Sequence, residues 1–167
     1  GEMDLKVSGG DLCIASAAVR GEGTTAEYLP PDYPAVADFQ VVAALVQAAQ
    51  ELSTDETGNR YHVGVVHSKD SFYGEVEPEA SPMAADIKQR WDSYLKCGCL
   101  TSEMECAAVF AVCTARKVRC GGVLTALWNV ERSKAGLPDN ITYDSTRAIK
   151  CVISAIRKLI AEDGAKR

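Results

Sequence analysis

Charged and aromatic residues gather in three short segments of this sequence: Ser68-Lys69-Asp70-Ser71-Phe72-Tyr73-Gly74, Ser102-Glu103-Met104-Glu105-Cys106-Ala107-Ala108 and Asn129-Val130-Glu131-Arg132. Carboxylates, cationic side chains and aromatic rings are the groups that bind polar ligands and steady developing charge. The plainer alternative for Glu103 and Glu105 is that they complement a helix N-terminus. His62 and His67 are the only histidines, and there is no H-E-x-x-H, no G-x-S-x-G and no cysteine in a protease setting. Metal-hydrolase and Ser or Cys hydrolase chemistry therefore lack their usual base. Cys97-Gly98-Cys99, with Cys106 nearby, lacks the paired spacing and fourth ligand of structural zinc, so no metal is expected. Gly21-Glu22-Gly23-Thr24-Thr25-Ala26 fits a dinucleotide glycine pattern, but Glu27-Tyr28-Leu29-Pro30-Pro31 follows it and cannot open a helix. It reads as an ordinary turn.

These segments need elements to position them. Residues 11–19 (DLCIASAAV) form an apolar run bounded by glycines, as in a buried strand, and a loop rich in Gly, Thr and Pro extends to Pro34. Val41, Leu45, Ala48 and Leu52 recur at helical spacing within residues 37–52, with the polar stretch 53–59 as the exit. Residues 61–67 read as a second strand, 83–96 as a helix with Pro82 before it and Gly98 after it, 100–102 as a short strand and 105–117 as a helix. Residues 119–128 are strand-like and 129–140 a polar loop. In a final helix Ile149, Val152, Ile153, Ile156 and Ile160 make one stripe, with Arg147, Lys150, Arg157 and Lys158 on other faces. Strands alternating with helices imply a three-layer α/β/α fold around a mostly parallel central sheet. All three segments then fall at strand C-terminal ends, the edge where open parallel sheets bind ligands.

The 167 residues make one domain, and 47% apolar content supplies its core without staples. A net charge of −5 gives no long-range attraction to nucleic acid or an anionic membrane surface. Seven cysteines, Cys13, Cys97, Cys99, Cys106, Cys113, Cys120 and Cys151, are an odd number and mostly lie in apolar segments, and Cys106 and Cys113 are spaced to face the core together. Reduced thiols are expected. No apolar run approaches transmembrane length and the N-terminus does not read as a signal peptide, so a cytoplasmic protein is expected.

Taken together, PAVADFQ (34–40), VGVVHSKDSFYGE (63–75), SEMECAA (102–108) and VLTALWNVERSKAG (123–136) closely resemble the nucleoside phosphorylase family, in particular its uridine phosphorylase branch. The resemblance runs from near Asp11 to the last helix. It implies cleavage of a nucleoside's N-glycosidic bond by inorganic phosphate through an oxocarbenium-like transition state, with no metal or cofactor. Glu105 would then accept hydrogen bonds from the ribose hydroxyls, with Glu103 beside it and Met104 as a polarizable floor under the sugar. Phe72 would stack on the base or ribose. Purine-cleaving relatives carry an Asp at the end of the last strand; here the position falls in Leu127-Trp128-Asn129. A pyrimidine leaving as an anion would instead meet Lys69 and Arg132, so uridine is the expected substrate and Arg132 joins Glu105 in the expected catalytic pair.

Two departures from the family pattern stand out. The uracil-binding Gln of the family aligns with Glu75, and an ionised Glu cannot donate a hydrogen bond; Lys69, six residues earlier, is the group expected to neutralise it. Family members are also longer by about a third of their chain at the N-terminus. The sequence is therefore expected to be the C-terminal two-thirds of such a domain, with an incomplete sheet and the phosphate-holding residues in the preceding segment. The family also implies a homo-oligomer, a dimer or a trimer of dimers. The alternatives are a purine nucleoside phosphorylase and a catalytically silent nucleoside-binding paralogue.

Overall fold

A computed structural model describes residues 1–53, 58 and 60–165. Most of the expected polar exit after the first helix lies outside the described residues. Strand β1 (Leu12–Gly21) is the axis of the molecule: parallel β3 (Tyr61–Lys69) covers one edge along its whole length. The other edge is shared in tandem by antiparallel β5 (Gly122–Thr125) and the two-residue β2 (Ala35–Val36). Beyond β3 lies β4 (Ser102–Glu103), again parallel. The expected sheet flanked by helices is present; β1, β3 and β4 run parallel, and β2 and β5 run the other way.

The helices are α1 (Phe39–Leu52), α2 (Phe72–Val76), α3 (Ala84–Lys96), α4 (Cys106–Arg116), α5 (Val130–Lys134) and α6 (Thr146–Ala165). Asp38 starts α1 by accepting from the Gln40 and Val41 amides, as an N-cap Asp does. Gly98, at φ +77°, follows α3 in the left-handed conformation that glycine adopts without penalty. Two segments read as loops hold short helices: one 3-10 turn at Thr24–Glu27 and α5, which Asn129 caps. The glycine-rich segment after β1 opens no α-helix. Instead the Arg20 guanidinium collects backbone carbonyls of that loop, from Thr25 through Tyr33.

One core cluster packs α1 and α6 on Leu12 and Ile14 of β1; a second packs α4 on Ala15, Ala18 and Val66. The buried face of α6 is Ala148, Cys151 and Ala155, against Ala44, Ala48 and Ala49 of α1. Small residues on both sides let the helix backbones approach closely. The aliphatic stripe of α6 lies roughly one residue's rotation away and is exposed, from 37% at Val152 to 66% at Ile160. All seven cysteines are free thiols; Cys106 is buried and Cys113 half-buried.

Candidate active site

Parallel pairing sets His67 of β3 opposite Ser102 of β4 and Ser68 opposite Glu103. Alternate strand residues share a face, so His67 and Lys69 leave the sheet on one side and Ser68 on the other. On the Ser68 side, its hydroxyl donates to the Glu103 carboxylate and accepts from the Ala107 amide at 2.8 Å. The second Glu103 oxygen accepts from the Glu105 and Cys106 amides, each at 2.7 Å. Buried Glu103 thus satisfies amides at the start of α4 that have no intrahelical acceptor. Here the helix-complementing role holds for Glu103. Glu105, two residues on, is exposed; its carboxylate accepts from the Met104 amide at 3.2 Å and lines a cavity beside Met104.

On the other side, α2 opens directly after β3, with Ser71 accepting from the Gly74 amide at 3.0 Å. Phe72 and Glu75, three residues apart on α2, lie on the same side of it. The Lys69 ammonium donates to Ser102 Oγ at 2.6 Å and to Glu75 Oε2 at 3.0 Å, and lies 6.0 Å from the centre of the Phe72 ring. Glu75 Oε2 also accepts from the Ser102 hydroxyl at 2.7 Å, while Oε1 lies 3.1 Å from His67 Nδ1. Burial opposes charge on Glu75, but the hydrogen bonds from His67 and Ser102 and the charge of Lys69 outweigh it and hold the carboxyl at about 2. Lys69 and Glu75 therefore pair, as their spacing led us to expect.

Two adjoining cavities, of about 440 and 230 Å³, share Lys69, Phe72 and Trp128. The smaller adds Glu103, Met104 and Glu105; the larger adds Glu75 and Trp91. The structure thus brings together every residue singled out from the sequence except Arg132. The Arg132 guanidinium donates to the carbonyls of Leu5 at 2.7 Å and Pro138 at 2.8 Å, with Asp139 3.8 Å away. It braces the loop after α5 and lines neither cavity, so the structure does not bring it to the other expected site residues. Asn129 is fully buried, its amide donating to the carbonyls of Asp4 and Val7. Within Leu127-Trp128-Asn129, where the sequence places the end of the last strand, Asn129 is thus a structural amide.

Sequence reasoning passed over His67, Ser102, Trp91 and Trp128. Strand alternation puts His67 on the face of Lys69, which was a usable signal. Ser102 needed the β3–β4 register, and the tryptophans needed the tertiary placement of α3, where Trp91 Nε1 donates to Glu131 of α5 at 2.9 Å and faces the same cavity as Trp128. Among the described residues no group of three His, Cys, Asp or Glu is placed to hold a metal ion, and no helix is long and apolar enough to cross a membrane.

The chain is similar to the uridine phosphorylase of Treponema pallidum (strain Nichols), 40% identical over 163 residues that cover 98% of this chain and 61% of that protein. It is 38% identical to the uridine phosphorylase of Thermococcus kodakarensis (strain ATCC BAA-918 / JCM 12380 / KOD1) over 122 residues, covering 72% of this chain and 42% of that protein. It is 31% identical to the guanosine phosphorylase of Halorubrum lacusprofundi (strain ATCC 49239 / DSM 5036 / JCM 8891 / ACAM 34) over 165 residues, covering 95% of this chain and 61% of that protein. The chain thus spans about three-fifths of the length of the T. pallidum relative. With the family pattern of the phosphorylase superfamily matching residues 1–161, the chain belongs to that superfamily.

Proposed function

We propose that this chain carries the nucleoside-binding part of a pentosyltransferase that cleaves uridine with inorganic phosphate, giving uracil and ribose 1-phosphate without a cofactor. The observation that carries the reading is the exposed Glu105 carboxylate beside Met104, in a cavity walled by Phe72 and Lys69. An ionised carboxylate accepts from the two ribose hydroxyls and supports positive charge growing at C1′. Phe72 supplies an apolar face to the base, and the Lys69 ammonium, with two of its three donors engaged, keeps one for the carbonyl oxygen of the departing pyrimidine. Leu127-Trp128-Asn129, the stretch where a purine-cleaving acid would stand, holds no acid, which favours a pyrimidine over a purine leaving group. The names of the relatives support the same order, with uridine ahead of guanosine. Free thiols throughout suit a cytoplasmic protein, and a homo-oligomer, a dimer or a trimer of dimers, is part of the reading.

The test is phosphate-dependent uracil release, measured with the polypeptide at its natural length and with inosine offered alongside uridine. Uridine turnover that needs phosphate, and a fall of about a hundredfold in kcat/KM for Glu105→Gln, are expected. Faster turnover of inosine would replace uridine with a purine nucleoside. Calorimetric binding of uridine with no product would make the protein a silent nucleoside binder.

A further inference from the structure

Glu105 is exposed and free to meet a ligand, but Lys69 reaches the same space from within the fold. Its ammonium is buried at the end of β3, and a long side chain loses considerable rotamer freedom when held in one place. What holds it is Ser102 and Glu75. Glu75 is clamped in turn: Oε2 takes the Ser102 hydroxyl and the Lys69 ammonium, and Oε1 faces His67 Nδ1 at 3.1 Å. A carboxylate only accepts, so His67 donates from Nδ1.

His67 is itself immobilised from three directions. Its ring packs against Tyr94 of α3, with ring centres 4.5 Å apart. Its Nε2 lies against Gly21 at the end of β1, where an added Cβ would come within 2.5 Å of it. Its backbone is fixed in β3, where its amide donates to the Thr101 carbonyl at 2.9 Å. His67 lines neither of the two cavities that share Lys69 and Phe72; it borders a smaller one of about 180 Å³ that also has Lys69 and Glu75 in its wall. A buried donor of this kind, fixed by the fold and one residue removed from the cavity, has Glu75 as its point of action.

We propose that His67 is a positioning residue of the nucleoside site: through the Glu75 carboxylate it fixes the Lys69 ammonium beside Phe72, leaving the third N–H of Lys69 for the base. This rests on the reading of the cavity as a nucleoside site. It also accounts for an acidic residue at a base-facing position, because the Glu75 charge is met by Lys69 and the His67 N–H rather than turned on the departing anion.

The experiment compares two variants by uridine phosphorolysis and thermal midpoint. His67→Asn keeps an N–H where Nδ1 sits; His67→Gln carries its amide to the Nε2 position, away from Glu75. For an interaction that matters as charge develops, kcat falls and KM changes little. His67→Gln is expected to lose about tenfold or more in kcat with KM within about threefold, and His67→Asn to recover most of the loss at a similar thermal midpoint. Because His67 acts through Glu75, adding His67→Gln to Glu75→Ala should lower kcat little beyond Glu75→Ala alone. Uridine turnover with His67→Gln as fast as the unaltered protein, no rescue by His67→Asn, or additive losses would each overturn the positioning role while leaving the functional reading intact. Absence of turnover in the unaltered protein would sink both.

Discussion

Glu103 and Glu105 show how two carboxylates of the same type, two residues apart and lining one cavity, are separated by environment. Glu103 is buried, and its oxygens receive the Ser68 hydroxyl and the first amides of α4. Removing it leaves buried donors without acceptors, which costs their desolvation as well as the lost bonds. Glu105 is exposed, with one backbone contact. Glu103→Ala is therefore expected to lower unfolding free energy by about 2 kcal/mol, while Glu105→Ala changes it by less than about 0.5 kcal/mol. Urea denaturation of the two variants checks this; equal losses would mean that the division of roles is wrong.

At the scale of elements, the pair α1 and α6 is held by small residues rather than by the largest apolar ones. Ala48 is fully buried in the seam opposite Ala148, Cys151 and Ala155. A longer side chain there must push two helix backbones apart. Ala48→Leu should therefore destabilise by about 1–3 kcal/mol, although it adds apolar surface; it also exchanges the best helix former for a slightly poorer one. A rise in thermal midpoint for this variant would show that the seam has room. The junction of β3, α2 and β4 works differently, because its order comes from polar partners: Ser71 caps α2, Glu103 caps α4, and the register of two parallel strands sets Ser102 between Lys69 and Glu75.

For the whole molecule, two carboxylates at opposite ends of the sheet, buried Asp11 and half-buried Glu75, set the response to acid. Burial works against the charge on Asp11, but His62 and the amides of Arg60 and Ser8 hold its carboxyl below the ordinary value; Glu75 is held at about 2 against an ordinary 4.5. A carboxyl whose folded value is depressed contributes stability that is present above the unfolded value and lost as pH falls toward the folded one. Stability should therefore drop between about pH 4.5 and pH 2, with about 3 kcal/mol of the loss belonging to Glu75. Glu75→Gln is expected to be weaker at pH 7, because Lys69 loses its partner, and flatter across the acid range. Urea midpoints at pH 7, 4 and 2.5 check it; a parallel curve for the variant would remove Glu75 from the account.

By itself the sequence determined the local chemistry and the element types. Glu103-Met104-Glu105 before a helix, Lys69 and Phe72 around a strand's end, the periodicity of α1 and α6 and the Pro82 and Gly98 that flank α3 are properties of short stretches, where side-chain spacing and backbone preference act directly. Tertiary structure decided what depends on partners distant in the chain. It turned the alanine face of α6 inward because α1 offers alanines, and it drew Arg132 to Leu5 and Pro138 because those carbonyls lie within reach of its guanidinium. It also joined buried His67, Lys69 and Ser102 with half-buried Glu75 in one network, because the register of β3 on β4 sets charges and hydroxyls within bonding distance, and no local pattern encodes that register.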